Sequence, residues 1–278
     1  MDRTNLKIIF RAGTFCILLL LGGISIKAQD KIDQLSLAFD YIEQNKLDSA
    51  EIALKTVLKN TPDNPVNPFL LNNLGTIQRR LGKLQEALVS YSAALGPYPK
   101  NPVILESRAS LFAEMGQALN AIVDYSTLLE EKPNYEEALY QRGLLYLQIK
   151  NTDFAESDFR KILDLNPNSL LARNGFASLS KFRGDYEEAE IIYNYLLDKD
   201  PENFNLYAGR AELYLLMERP GKASSDINRA IRLAGENAQN PYFYVIRYRS
   251  KLLLHENESA IRDLKKAIEL GYKEENVK

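Results

Sequence analysis

The chain has 278 residues, 45% of them hydrophobic and 26% charged, with 14 Gly and 11 Pro, which excludes collagen-like and low-complexity chains. It carries 35 bases and 37 acids, and without a long basic block it lacks the electrostatic footprint of a nucleic-acid binder. It has one Cys, one His and no Trp; everything after Cys16 is free of thiols, so disulfide frameworks, thiolate metal sites and a Cys nucleophile are excluded there.

At the N-terminus, Arg3, Lys7 and Arg11 precede an apolar run, Ala12 to Ile26, that includes Leu18 to Leu21. A basic stretch, a short apolar run and a small residue are the layout of a secretory signal peptide over 1–28. The run is shorter than the ~20 apolar residues of a spanning helix, and Gly22 and Gly23 weaken it further. The expectation is an exported chain, periplasmic or extracellular, cleaved after Ala28 or Gln29, with no membrane span afterwards; an uncleaved anchor is the alternative. The segment removes four bases and one acid, leaving 31 bases against 36 acids.

Beyond it, one period organises the chain. Ala50, Ala87, Ala121, Ala155, Ala189, Ala223 and Ala260 are spaced by 37, 34, 34, 34, 34 and 37 residues. Four residues after each stands Leu54, Tyr91, Tyr125, Phe159, Tyr193, Ile227 or Leu264, on the same face of a helix as the alanine. Twelve residues before the first six stands a small residue, Ala38, Gly75, Ala109, Gly143, Ala177 or Ala211, with Tyr248 as the exception in the seventh. Small residues on both helices of a hairpin let their axes approach. Pro62, Pro99, Pro133, Pro167 and Pro201 follow the first five alanines by twelve residues, where a residue without an N–H closes the second helix. Turn signals between the helices are Gly82-Lys83, Gly116-Gln117, Lys150-Asn151, Gly184-Asp185 and Arg219-Pro220-Gly221.

This signature resembles the tetratricopeptide repeat family. Seven repeats cover 31–64, 68–101, 102–135, 136–169, 170–203, 204–237 and 241–274 within a region 29–274, followed by a short tail, 275–278. Gly235 and Tyr272 replace the closing proline in repeats six and seven. The resemblance implies an all-α fold, a right-handed solenoid of about fourteen antiparallel helices stabilised by nearest-neighbour interfaces. The insertions Pro65-Val66-Asn67 and Ala238-Gln239-Asn240 mark the expected kinks, and the tail is too short for a capping helix.

A second pattern runs in phase. Position seven of a repeat is Arg108, Arg142, Arg210 and Arg247 in repeats three, four, six and seven, and sixteen residues later those repeats carry Asp124, Asp158, Asp226 and Asp263. Repeats one, two and five have Leu37, Leu74 and Phe176, then Ala53, Ser90 and Ile192. Arg and Asp occur together or not at all, which predicts ion pairs joining the two helices of a repeat.

Catalysis is poorly supplied. His255, the sole imidazole, stands in a turn and reads as solvated. There is no phosphate-binding loop, dinucleotide fingerprint or metal-spaced His/Cys cluster, so no catalytic residue, metal or cofactor is assigned. Asn257-Glu258-Ser259 fits a glycosylation acceptor, a weak pattern that arises often by chance.

In arrays of this family, one face of the first helices lines a concave groove. The matching positions here are Asn72, Thr76, Arg79, Arg80, Glu106, Ser110, Tyr140, Leu144, Asn174, Lys181, Phe182, Glu212 and Arg249, with Leu35, Phe39, Leu216, Leu252 and Leu253 among the apolar ones. A polar middle with apolar ends suits an extended peptide or a partner helix. Asn73 matches the middle element of the family's carboxylate clamp, but Leu35, Phe39, Ser110 and Glu114 stand where its flanking groups belong, so that clamp is not expected. The reading is a non-catalytic scaffold with a protein partner and no nucleic acid. An envelope-assembly or self-associating protein using uncapped ends, and a glycan-binding groove at Tyr140, Asn72 and Asn174, are the alternatives.

Overall fold

A computed structural model describes residues 26–235 and 238–273, with side chains from Gln34 onward. The expected signal segment up to residue 25 and the tail 275–278 lie outside the described residues.

The described chain is all-α, and each repeat contributes an antiparallel pair of helices. They are α1 (Ile26–Glu43), α2 (Leu47–Asn60), α3 (Asn67–Arg80), α4 (Leu84–Leu95), α5 (Pro102–Glu114), α6 (Ala118–Glu131) and α7 (Glu136–Gln148). The rest are α8 (Thr152–Leu165), α9 (Leu170–Arg183), α10 (Tyr186–Lys199), α11 (Phe204–Leu216), α12 (Pro220–Ala234), α13 (Pro241–Leu253) and α14 (Asn257–Glu269). They group into two compact units, Met1–Pro133 and Asn134–Lys278. Among the described residues no helix is long and apolar enough to cross a membrane.

One turn geometry recurs in all seven repeats. The residue at position fifteen (Asn45, Gly82, Gly116, Lys150, Gly184, Glu218, His255) has positive φ, between 55° and 89°. The next N–H reaches back over the helix end, as Lys83 N to Gln78 O at 2.8 Å and Arg219 N to Tyr214 O at 2.8 Å. This left-handed residue with its 6→1 bond satisfies carbonyls that the helix end would leave unpaired. His255 is therefore a turn residue. In repeat six the left-handed residue is Glu218, and Gly221 already lies inside α12. That corrects the turn expected at Arg219-Pro220-Gly221: proline at the first helical position starts a helix instead of interrupting one. At several first-helix starts an asparagine caps the backbone, as Asn101 accepting from Val103 N and Asn203 accepting from Asn205 N.

The seven phasing alanines are all fully buried, and Tyr91, Phe159, Leu54 and Ile227 pack beside them. The approach is closest around Phe159 in the second unit. A Cβ on Gly143 in its own repeat, or on Gly175 in the next, would fall within 3 Å of that ring. Core packing continues from α9 to α13 through Tyr193, Leu196, Leu206, Leu213, Ile227 and Phe243.

Candidate functional site

The first helices present the groove positions, and most of their polar groups are engaged within the chain. In the first unit, Thr76 Oγ1 lies 3.0 Å from Tyr91 Oη, and Ser110 Oγ lies 3.1 Å from Tyr125 Oη. Arg79 Nε donates to Glu114 at 2.5 Å, and Arg80 Nη2 donates to Asn45 Oδ1 at 2.5 Å. Glu106 is half-buried. Asn72 is buried, and its Oδ1 has no hydrogen-bond partner.

In the second unit, Asn174 Nδ2 donates to Tyr140 Oη at 2.7 Å, tying repeat five to repeat four. Tyr140 is buried, and burial holds its phenol above the ordinary range. Lys181 is ion-paired with Glu212 of the next repeat. Burial disfavours the Lys181 ammonium, but the nearby Tyr193 phenol and Glu212 outweigh it and leave its pKa raised. Leu144 is half-buried, and Arg249 is exposed. Of the positions expected on the groove, Asn72 and Tyr140 therefore lie beneath the surface, Tyr140 between Asn174 of the next first helix and the Phe159 ring of its own repeat. Alongside the exposed Arg80, Glu212 and Arg249, an apolar ledge reaches solvent at position thirteen of repeats five to seven: Phe182, Leu216 and Leu253 are 46%, 47% and 53% exposed. Repeats one to four carry Glu43, Arg80, Glu114 and Gln148 there.

The expected Arg–Asp pairs each join the two helices of one repeat. Arg108 reaches Asp124 with Nε and Nη2 at 2.8 and 2.8 Å, Arg142 reaches Asp158 at 2.9 and 2.7 Å, and Arg247 reaches Asp263 at 2.9 and 2.5 Å. Arg210 reaches Asp226 at 2.7 and 2.9 Å. All four aspartates are buried, and two-pronged geometry of this kind is the strong form of the contact. Burial lowers the pKa of Arg142 and Arg210, but the bonded aspartate more than compensates and the guanidinium stays charged. In repeats three, four and six the ring at position eleven lies under the arginine: Arg108 over Phe112 at 5.6 Å, Arg142 over Tyr146 at 5.8 Å, Arg210 over Tyr214 at 5.7 Å.

Three networks escaped the sequence reading. The Thr or Ser at position nine pairs with the Tyr fifteen residues later, and where repeat four has Leu144 it has Phe159; this correlation was readable from the period. The arginine's third nitrogen reaches position twenty-five of the preceding repeat, Ser92 at 3.3 Å from Arg108, Asn194 at 2.6 Å from Arg210, and Asn228 at 3.3 Å from Arg247. Glutamates at position twenty-one clasp the next repeat, Glu51 to Lys83 at 2.6 Å and Glu190 to Lys222 at 3.1 Å. The last has no single-residue signature, since position twenty-one is also Leu88, Ile122 and Ile261. Among the described residues no group of His, Cys, Asp or Glu is gathered as a metal would require.

Comparison with known proteins agrees with this geometry. Tetratricopeptide repeat models match residues 35–102 and 136–169. A crystal structure of a tetratricopeptide repeat protein from Parabacteroides merdae is 46% identical, with 89% of this chain and 95% of that one covered and a TM-score of 0.78. PilW, a type IV pilus biogenesis factor, is 19% identical over 76% of this chain and 97% of its own, with a TM-score of 0.55, a likeness of fold alone. A DnaJ homolog subfamily C member 7 homolog from Schizosaccharomyces pombe is 31% identical over 102 residues, which span 34% of this chain and only 20% of that protein. The chain belongs to the tetratricopeptide repeat family.

Proposed function

We propose that this protein is an exported, non-catalytic scaffold that engages a protein partner through the first-helix face of its second compact unit. The observation that carries the reading is the ledge of Phe182, Leu216 and Leu253, apolar side chains about half exposed on three successive first helices. A solvated helix face has no reason to repeat apolar residues in register, and a contiguous exposed apolar patch marks an interaction surface. Among the polar groove groups of this unit, Asn174 is already bonded to Tyr140 and Lys181 to Glu212, contacts that tie successive first helices together. The ledge favours an apolar stretch of peptide or one face of a helix. The basic and apolar N-terminal sequence supports export, to the periplasm or beyond.

The experiment is crosslinking in the compartment outside the inner membrane, comparing the wild type with a Phe182→Ser, Leu216→Ser, Leu253→Ser variant. All three side chains are exposed, so folding is retained and a loss of crosslinked partner reports the ledge. Retention of every partner would reject the assignment. N-terminal sequencing of the same material tests export: a mature end at Gln29 or Asp30 is expected, and an intact Met1 would reject cleavage.

A further inference from the structure

The two ends of the array carry surfaces that complement one another. In repeat one, Leu37 and Ala53 stand where four other repeats have Arg and Asp, so no guanidinium lies over the Tyr41 ring, which is only partly buried. Here lies a cleft of about 350 Å³ lined by Leu37, Tyr41, Ile52 and Ala53, with Gln34, Ser49 and Thr56 at its polar side, in which Leu37 is 46% exposed. Beside it α1 exposes Asp40 and Glu43, and neither forms an ion pair with a described residue. Position ten is Asp40 here, whereas Ile77, Leu111, Leu145, Leu179 and Leu213 are buried at that position in the repeats that follow.

At the other end α14 leaves a stripe uncovered. Ile268 is 37% exposed, while Leu197 at the same position of repeat five is 7% exposed against the next first helix, and Ile261 is 51% exposed. Between those isoleucines on the same face lies Lys265, flanked by Arg262. Both bases are exposed, and neither has an ion-pair partner among the described residues. Asp263 does not neutralise them, because it is buried beneath Arg247 and Lys251.

The internal repeats supply the register in which such surfaces meet. Position twenty-five of one repeat touches position seven of the next, as Asn194 touches Arg210. In the terminal repeats those positions are Lys265 and Leu37. Continuing the pattern from one molecule to another sets the Ile261–Ile268 stripe into the Leu37–Tyr41 cleft and brings Lys265 to Asp40, one turn from Leu37. We propose that a second copy of this chain docks head to tail, α14 of one copy on α1 and α2 of the next. The interface is heterologous, so each copy keeps a free end of each kind. Pairing α14 with another α14 would instead set Arg262 and Lys265 against their own kind.

The test uses two variants of the purified protein altered at exposed positions, Leu37→Ser with Asp40→Lys, and Ile261→Ser with Ile268→Ser, read by analytical ultracentrifugation. The wild type is expected to show a mass that rises with concentration and falls with added salt. Each variant alone should be monomeric, and an equimolar mixture should give a one-to-one dimer and nothing larger, because one productive junction survives. Lys265→Glu should weaken wild-type association by about tenfold, equivalent to ~1.4 kcal/mol, with recovery against a partner carrying Asp40→Lys. A wild type that is monomeric at every concentration, a Leu37 variant that still self-associates, or a mixture that stays monomeric would each overturn the proposal. None of these results touches the ledge of Phe182, Leu216 and Leu253.

Discussion

Arg210 grips Asp226 of its own repeat with two parallel hydrogen bonds, 2.7 and 2.9 Å long, and spends its remaining nitrogen on Asn194 of the preceding repeat at 2.6 Å. One side chain thereby couples the fold of a hairpin to its stacking on a neighbour. In a linear array stability is a sum of such local and nearest-neighbour contributions, so a residue that takes part in both has more than local consequences.

The pairs should therefore dominate surface charge in stability. Asp158→Ala removes a buried carboxylate and strands the Arg142 guanidinium, and breaking one side of a buried pair costs about 3–5 kcal/mol. Asp153 is exposed on the same helix, and its replacement should change stability by less than about 0.5 kcal/mol. Denaturant unfolding of the two variants checks this; equal shifts would show that the pair is not buried in effect.

Phe159 sets a steric limit on both sides. Gly143→Ala and Gly175→Ala each place a methyl against its ring, and overpacking of this kind costs about 1–3 kcal/mol. Combining Gly143→Ala with Phe159→Leu should recover part of the loss, since the smaller side chain vacates the space. A thermal melt of the three variants gives the answer, and no recovery would mean the damage comes from elsewhere.

The left-handed turn position offers a stabilising change. Glu218 and Lys150 have φ of 55° and 62°, a conformation that costs an L-residue about 1–2 kcal/mol and glycine almost nothing. Glycine's larger unfolded-state entropy offsets about 0.5–1 kcal/mol of that. Glu218→Gly should raise the unfolding midpoint modestly and Gly184→Ala, at φ 89°, should lower it. Opposite signs would exclude the left-handed assignment.

Acid should loosen the contact between repeats one and two. Burial disfavours the Glu51 carboxylate, but hydrogen bonds from Lys55, Lys83 and Gln78 outweigh it and hold its pKa at about 2 instead of 4.5. A folded-state pKa below the unfolded one means stability that is complete above about pH 4.5 and is lost as the pH falls through 2. The stability gap between wild type and Glu51→Gln should thus shrink over that interval in pH-dependent unfolding, and a constant gap would remove Glu51 as the cause.

Much of the architecture was legible in the sequence because it depends on local rules applied seven times. The alanine phase, the small residue before it and the aromatic after it identify a hairpin whose helices must approach closely, and Phe159 between Gly143 and Gly175 is the extreme case. Glu218 and His255 at the turn position were less legible: a left-handed residue is recognised in sequence when it is glycine, and the hydrogen bond that fixes it belongs to the helix end whatever the side chain. Asn72 and Tyr140 have the right phase for the groove. Phase gives direction around a helix axis, however, and how deep a side chain lies depends on the neighbour that covers it.

By itself, the order of residues determined the class of fold and which arginine belongs with which aspartate, since both follow from periodicity within some 34 residues. Only the tertiary structure decided which groove groups are spent on one another, that Phe182, Leu216 and Leu253 remain in solvent, and that the terminal repeats leave Leu37 and Ile268 uncovered. Burial is a property of neighbours: a residue's exposure is set by what the adjacent helix places against it, and a one-dimensional pattern carries no record of that distance.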